Sequence, residues 1–238
     1  MTSPSSSRRP AVAGDLKKLP SEKRVPLILK RLGKQYEIPE HARRLPLLDS
    51  LVLTVLSQNT NDENSGRAFQ ELRARFPTWE AALQAPRRQF ESAIRVGGLA
   101  EIKSGRIQEI LRRIQQERGK LDLGFLRRRP VAEVREYLLS LPGIGRKTAA
   151  VVMLFQLDLP VFPVDTHVHR VSRRLGLIPP NASAERAHDM FDAMLRPKQM
   201  FPLHVGLILH GRRICAARRP RCPECPLLEL CPQVGVEP

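Results

Sequence analysis

The chain has 238 residues, 42% of them hydrophobic, enough for one large packed domain or two small ones. Lys and Arg number 40 against 24 Asp and Glu, a formal charge of +16 that calls for a polyanionic partner, nucleic acid above all. No apolar run approaches a membrane span, no signal-peptide core opens the chain, and no basic amphipathic stripe or lipid anchor suits a membrane surface. A soluble, cytoplasmic protein is expected.

Residues 1–24, opening "MTSPSSSRRPAVAGDLKK", read as a disordered basic tail that adds phosphate affinity without sequence preference. An organelle presequence is the other reading of this stretch, although its helical amphipathicity is poor. Beyond it, Leu48, Leu51, Val52, Val55 and Leu56 recur at helical spacing, and "LSQNTND" (56–62) follows as a polar turn carrying Gln58, Asn59 and Thr60. Thr78 caps "WEAALQ", and Gly97 and Gly98 stop "RRQFESAIRV". "GGLAEIK" (97–103) then sets Leu99 on a glycine-loosened turn. Ile107, Ile110, Leu111 and Ile114 mark the next helix, with Gly119 as its stop.

Pro130 opens "VAEVREYLLS", which the turn "LPGIG" joins to "RKTAAVVMLFQL". Asp165 caps "THVHRVSRRL" with Gly176 as stop, Ser183 caps "AERAHDMFDAML", and "PLHVGLILHGRRIC" is the last amphipathic run. Strand-like alternation is scarce. The fold class is all-α, with roughly ten short helices.

Three features carry chemistry. The segment 131–157 reads as helix, hairpin, helix: Gly143 and Gly145 suit positive φ or close approach of a ligand, and the second helix turns its N-terminal N–H groups outward to hold one phosphate beside Arg146. Taken alone, the same turn also reads as an ordinary connection between core helices. Lys147 follows at once, and Asp165 lies beyond the second helix. Third, Cys215, Cys222, Cys225 and Cys231 form C-x6-C-x2-C-x5-C, one site for zinc or an iron-sulfur cluster; spacing alone favours zinc. Arg218, Arg219 and Arg221 in the first loop of that site read as a phosphate contact or as a solvated charge run.

With "LPGIGRKTA", "VDTHVHRV" and the cysteine quartet in fixed order, the chain from about residue 25 to 232 resembles the endonuclease III branch of the helix-hairpin-helix DNA glycosylases. The resemblance implies two helical domains with a DNA-binding cleft between them: a six-helix domain over 40–159, and a cluster domain built from 25–39 with 160–238. It implies a monomer in base excision repair, bacterial and nucleoid-associated. The enzyme would excise oxidised pyrimidines from double-stranded DNA and then cut the abasic site by β-elimination. It identifies Lys147 as the Schiff-base nucleophile, Asp165 as the catalytic aspartate, and the four cysteines as ligands of one 4Fe-4S cluster, reversing the preference for zinc.

Leu99 matches the family's leucine wedge. Asn59 stands where the family commonly has a glutamine that fills the gap left by the extruded nucleotide; it is one methylene shorter, and Gln58 could share the task. Leu99 also reads as ordinary core and 56–62 as an ordinary polar turn.

The lysine must lose its proton before it attacks C1′. The helix N-terminus, the charge of Arg146 and an apolar wall around the amine all push that way. Asp165 could accept that proton or stabilise positive charge on the sugar, and it also reads as a plain helix cap. A monofunctional mismatch glycosylase keeps the fold without the adduct, and a non-catalytic DNA-binding module has no use for the Lys147 and Asp165 pair.

Overall fold

A computed structural model describes residues 16–236. In chain order its α-helices are α1 (Ser21–Gln35), α2 (Leu47–Leu56), α3 (Asp62–Arg75), α4 (Trp79–Gln84), α5 (Arg87–Ala93), α6 (Ala100–Arg118), α7 (Val131–Ser140), α8 (Arg146–Leu157), α9 (Thr166–Arg174), α10 (Ala184–Met194) and α11 (Pro197–Arg213). Four short 3-10 turns complete the set, and no strand occurs among the described residues. The fold is all-α.

The chain divides into two units. One is His41–Pro163; the other joins the described residues up to Glu40 to those from Val164 onward. The first holds seven α-helices, with "WEAALQ" and "RRQFESAIRV" parted at Ala85. The ring of Pro86 excludes the helical conformation from the residue before it, and Ala85 is extended at φ −64, ψ 137.

Within His41–Pro163, α2 is the axis. Leu48, Leu51, Val52, Val55 and Leu56 are all buried, as a helix apolar on every side must be, and α3 and α8 pack against it. Each such side chain contributes about 1.5–3 kcal/mol on burial. On α6 the stripe Ile107, Ile110, Leu111 and Ile114 enters the same core, and Gly119 at φ 70 closes that helix in the left-handed conformation.

In the other unit, α11 packs on α9 and on α1. The sequence placed the start of α11 at Pro202. It begins at Pro197 instead, because the amide oxygen of Gln199 accepts the Arg196 N–H and closes the first turn, leaving Pro202 inside the helix. Of the expected tail, 1–15 lie outside the described residues, while Ser21–Arg24 open α1 rather than continuing a tail. The reason is Arg24: its buried guanidinium donates to the Leu175, Gly176 and Leu230 carbonyls. A residue so held is not free to fray.

Candidate active site and nucleic-acid interface

The hairpin is fixed from beneath. Leu141 and Ile144 are buried, the Ile144 N–H donates to the Leu141 carbonyl at 3.2 Å, and Gly143 turns the chain at φ 70. A Cβ on Gly143 would stand 2.0 Å from Nε of Arg106, so this glycine is required both for its φ and for the arginine lying over it. Gly145 differs: its φ of −89 suits any residue, and a Cβ there would meet nothing within 4 Å. No side-chain hydrogen bond caps α8 at Gly145.

Lys147 is exposed on the first turn of α8, while Thr148, Ala149 and Ala150 beside it are buried. The apolar wall expected around the amine is therefore missing: the buried face of α8 begins one residue later. The helix N-terminus and Arg146 remain as the local positive charge.

Gln58 is tied to this hairpin. Its Nε2 donates to Thr148 Oγ1 at 3.2 Å and to the Gly143 carbonyl at 3.4 Å, and its Oε1 accepts from Arg106 Nη1 at 2.6 Å. A side chain so occupied braces the turn rather than standing ready to fill a gap. Asn59 is exposed at φ 54, and Leu99 is 50% exposed at φ 50. Ordinary core packing of Leu99 is thus excluded. Ile102, one turn into α6, is 57% exposed, so two of the three exposed large apolar side chains among the described residues stand together at the start of one helix.

Asp165, in the other unit, is half-buried and caps α9: its Oδ1 accepts the Val168 N–H at 2.7 Å. One carboxylate oxygen is committed to the cap, which fixes the direction of the second.

The four cysteines line one recess, walled by apolar Val171, Leu175, Ile214 and Leu228. Arg174 Nη1 donates to Cys215 Sγ at 3.3 Å and to the Ala216 carbonyl at 2.6 Å, and the Gln233 N–H donates to Cys231 Sγ at 3.3 Å. His210 Nε2 is 3.5 Å from Cys225 Sγ, with Tyr36 Oη 2.9 Å from Nδ1. Burial pushes the Cys225 thiol up to about 11 and raises Cys231 as well. Such thiols become thiolates only beside positive charge, as a bound metal group provides. The four thiols on one recess are a donor set that suits either a zinc ion or an iron-sulfur cluster.

Arg218 and Arg219 are exposed, Arg219 at φ 49. Arg221 is already engaged, by Glu224 Oε2 at 3.2 Å and by the Arg213 carbonyl. Its charge is partly answered before any phosphate arrives.

Sequence reasoning missed Lys103, Arg106, Arg174 and Ile102. Lys103 left a trace: it stands one turn ahead of Ile107 on the apolar stripe of α6 and is buried with it. Arg106 left none, since its partner Gln58 is 48 residues away in the chain.

A profile of the HhH-GPD superfamily base excision DNA repair proteins matches residues 52–197. A relative in Arabidopsis thaliana named as a DNA glycosylase is 42% identical over 71% of this chain, which spans 58% of that relative's length. Endonuclease III of Synechocystis is 34% identical over 91% of this chain and 96% of its own. Among solved structures, a trapped endonuclease III–DNA covalent intermediate is 29% identical, with a TM-score of 0.76 over 89% of this chain and 96% of that one. No helix among the described residues is long and apolar enough to cross a membrane. The hairpin, the capped aspartate and the four-cysteine recess thus lie on a chain that belongs to the endonuclease III family of the HhH-GPD superfamily.

Proposed function

We propose that this chain is a base excision repair glycosylase that acts on double-stranded DNA, removes oxidised pyrimidines and then cuts the abasic site as a lyase. The carrying observation is Lys147: a primary amine, exposed, at the uncapped N-terminus of α8 and two residues past a glycine with open space above it. A phosphate held by the N–H groups of α8 delivers the adjoining sugar to that amine.

The unprotonated amine of Lys147 attacks C1′ as the glycosidic bond breaks, and the base leaves with the bonding pair and takes up a proton. Loss of an amine proton and opening of the sugar give an imine. The C2′ proton then becomes acidic, and its removal expels the 3′ phosphate as the C3′–O bond breaks. Because Lys147 is exposed in the free chain, its desolvation comes from bound DNA. Asp165, with one oxygen in the cap of α9, offers the other to accept a proton or to stabilise positive charge on the sugar.

Gly143, Gly145 and Arg146 hold the strand, Leu99 with Asn59 fills the opened stack while Gln58 braces the hairpin, and Arg218, Arg219 and Arg221 add phosphate contacts. Cys215, Cys222, Cys225 and Cys231 would hold one 4Fe-4S cluster, which when bound supplies four thiolate bonds that fasten the C-terminal loop. The chain works as a monomer in the compartment that holds the DNA, the cytoplasm of a bacterial cell.

Borohydride trapping on duplexes carrying thymine glycol or a preformed abasic site tests this. The wild-type chain gives a covalent complex with both, and Lys147→Gln gives none. Undiminished trapping by Lys147→Gln would remove the nucleophile assignment, and base release without any trapped complex in the wild type would favour a monofunctional enzyme.

A further inference from the structure

Lys103 is 1% exposed, yet it carries an ammonium on the apolar stripe of α6. Its Nζ donates to the Leu56 carbonyl at 2.7 Å and to the Gly97 carbonyl at 2.8 Å. Both acceptors are ends. Leu56 is the last residue of α2 and Gly97 the last of the 3-10 turn Arg95–Gly97, so each carbonyl lacks a partner within its own element, and that of Leu56 also carries the negative end of a helical dipole. Burial lowers the pKa of Lys103 from its ordinary value, and the two bonds offset part of that desolvation.

Each of the two carbonyls stands at the root of an exposed turn. Three residues past Leu56 the chain reaches Asn59 at φ 54, and two residues past Gly97 it reaches Leu99 at φ 50. Only five non-glycine residues among the described ones have positive φ, and two of them stand within three residues of the two carbonyls on one nitrogen. A left-handed residue with a side chain costs about 1–2 kcal/mol and persists only where its surroundings hold it. Gly97 lies close against α3: a Cβ placed on it would stand 3.0 Å from that of Ala68, which leaves no room for a side chain there. Leu99 is anchored in turn, its carbonyl accepting the Lys103 N–H at 2.9 Å.

We propose that Lys103 is a positioning residue that locks the Asn59 and Leu99 turns into one rigid fork, so that both side chains enter the duplex together when a nucleotide is extruded. This rests on the reading of the chain as a base-extruding glycosylase. Lys103 touches no substrate: it acts by holding the roots of the two turns at a fixed spacing. Cutting a preformed abasic site needs the fork less, because a nucleotide without a base has little stacking to lose.

The test uses the full cluster-containing chain with Lys103→Met, which keeps length and loses both donors, and Lys103→Arg, which keeps charge and donors. Three quantities are read: single-turnover base release from a thymine glycol duplex, fluorescence of 2-aminopurine opposite a stable abasic analogue, and borohydride trapping on a preformed abasic site. Lys103→Met is expected to slow base release by about tenfold or more and to lose most of the fluorescence change, with trapping kept within about twofold. Lys103→Arg is expected to recover much of both losses. Wild-type fluorescence and base release in Lys103→Met would overturn the proposal. So would an equal fall in all three quantities tracking the folded fraction, which is what a merely structural lysine gives. If Lys103→Met does not fold, Lys103→Gln, which keeps an amide donor, is read by the same three measures. A wild-type chain that neither releases base nor traps DNA defeats the underlying glycosylase reading, an outcome distinct from any result on position 103.

Discussion

The hairpin and the two turns beside it use one backbone conformation to opposite ends. Gly143 sits at φ 70, Asn59 at φ 54 and Leu99 at φ 50. At the hairpin the left-handed residue has no side chain, because the guanidinium of Arg106 occupies the space where one would stand. At the turns it keeps its side chain and accepts the strain, leaving both residues exposed. On the proposed reading Leu99 and Asn59 insert into the duplex, and that use needs the side chains that glycine would remove. Where glycine would relieve strain but cannot do the work, the strain stays.

Gly143→Ala puts this contrast under the heaviest load. The φ alone costs about 1–2 kcal/mol, and a Cβ 2.0 Å from Arg106 Nε adds the displacement of that side chain and its bond to Gln58. Thermal melting and DNA affinity should both fall. Adding Arg106→Ala should restore the steric part and leave the φ part, as a double-mutant cycle reads directly.

Leu99→Gly should do the reverse: thermal stability rises by up to about 1 kcal/mol as strain is relieved and little burial is lost, while single-turnover base release slows. A glycine variant that is both more stable and equally active would show that Leu99 is no wedge. Asn59→Gly should change in the same direction with a smaller gain in stability, because asparagine tolerates the left-handed region better than leucine.

The smallest effect belongs to the cysteine loop. Neutralising Arg218 or Arg219 should lower the salt slope of DNA binding by about 0.9 each if each meets one phosphate, and Arg221, already paired with Glu224, by less. Slopes equal to the wild type's for all three variants would separate the loop from the DNA.

The hairpin was legible in the sequence because proline, two glycines and a run of helix formers are local signals, and so was Asp165 as the cap of α9. Burial is not a local property. The exposure of Leu99 could not be read from "GGLAEIK", and the exposure of Lys147 contradicted a wall inferred from apolar neighbours that all point the other way. Pairings across the chain were hidden for the same reason: nothing near Gln58 announces Arg106, and nothing near Cys215 announces Arg174.

The three carbonyls gripped by Arg24 have a consequence for the order of events in synthesis. The arginine leaves the ribosome early, but its partners Leu175, Gly176 and Leu230 are made more than 150 residues later. The continuous segment His41–Pro163 can complete its own core in the meantime. Helix α1 cannot complete these three bonds until Leu230 has been made, so its docking in the unit with the cysteines comes late.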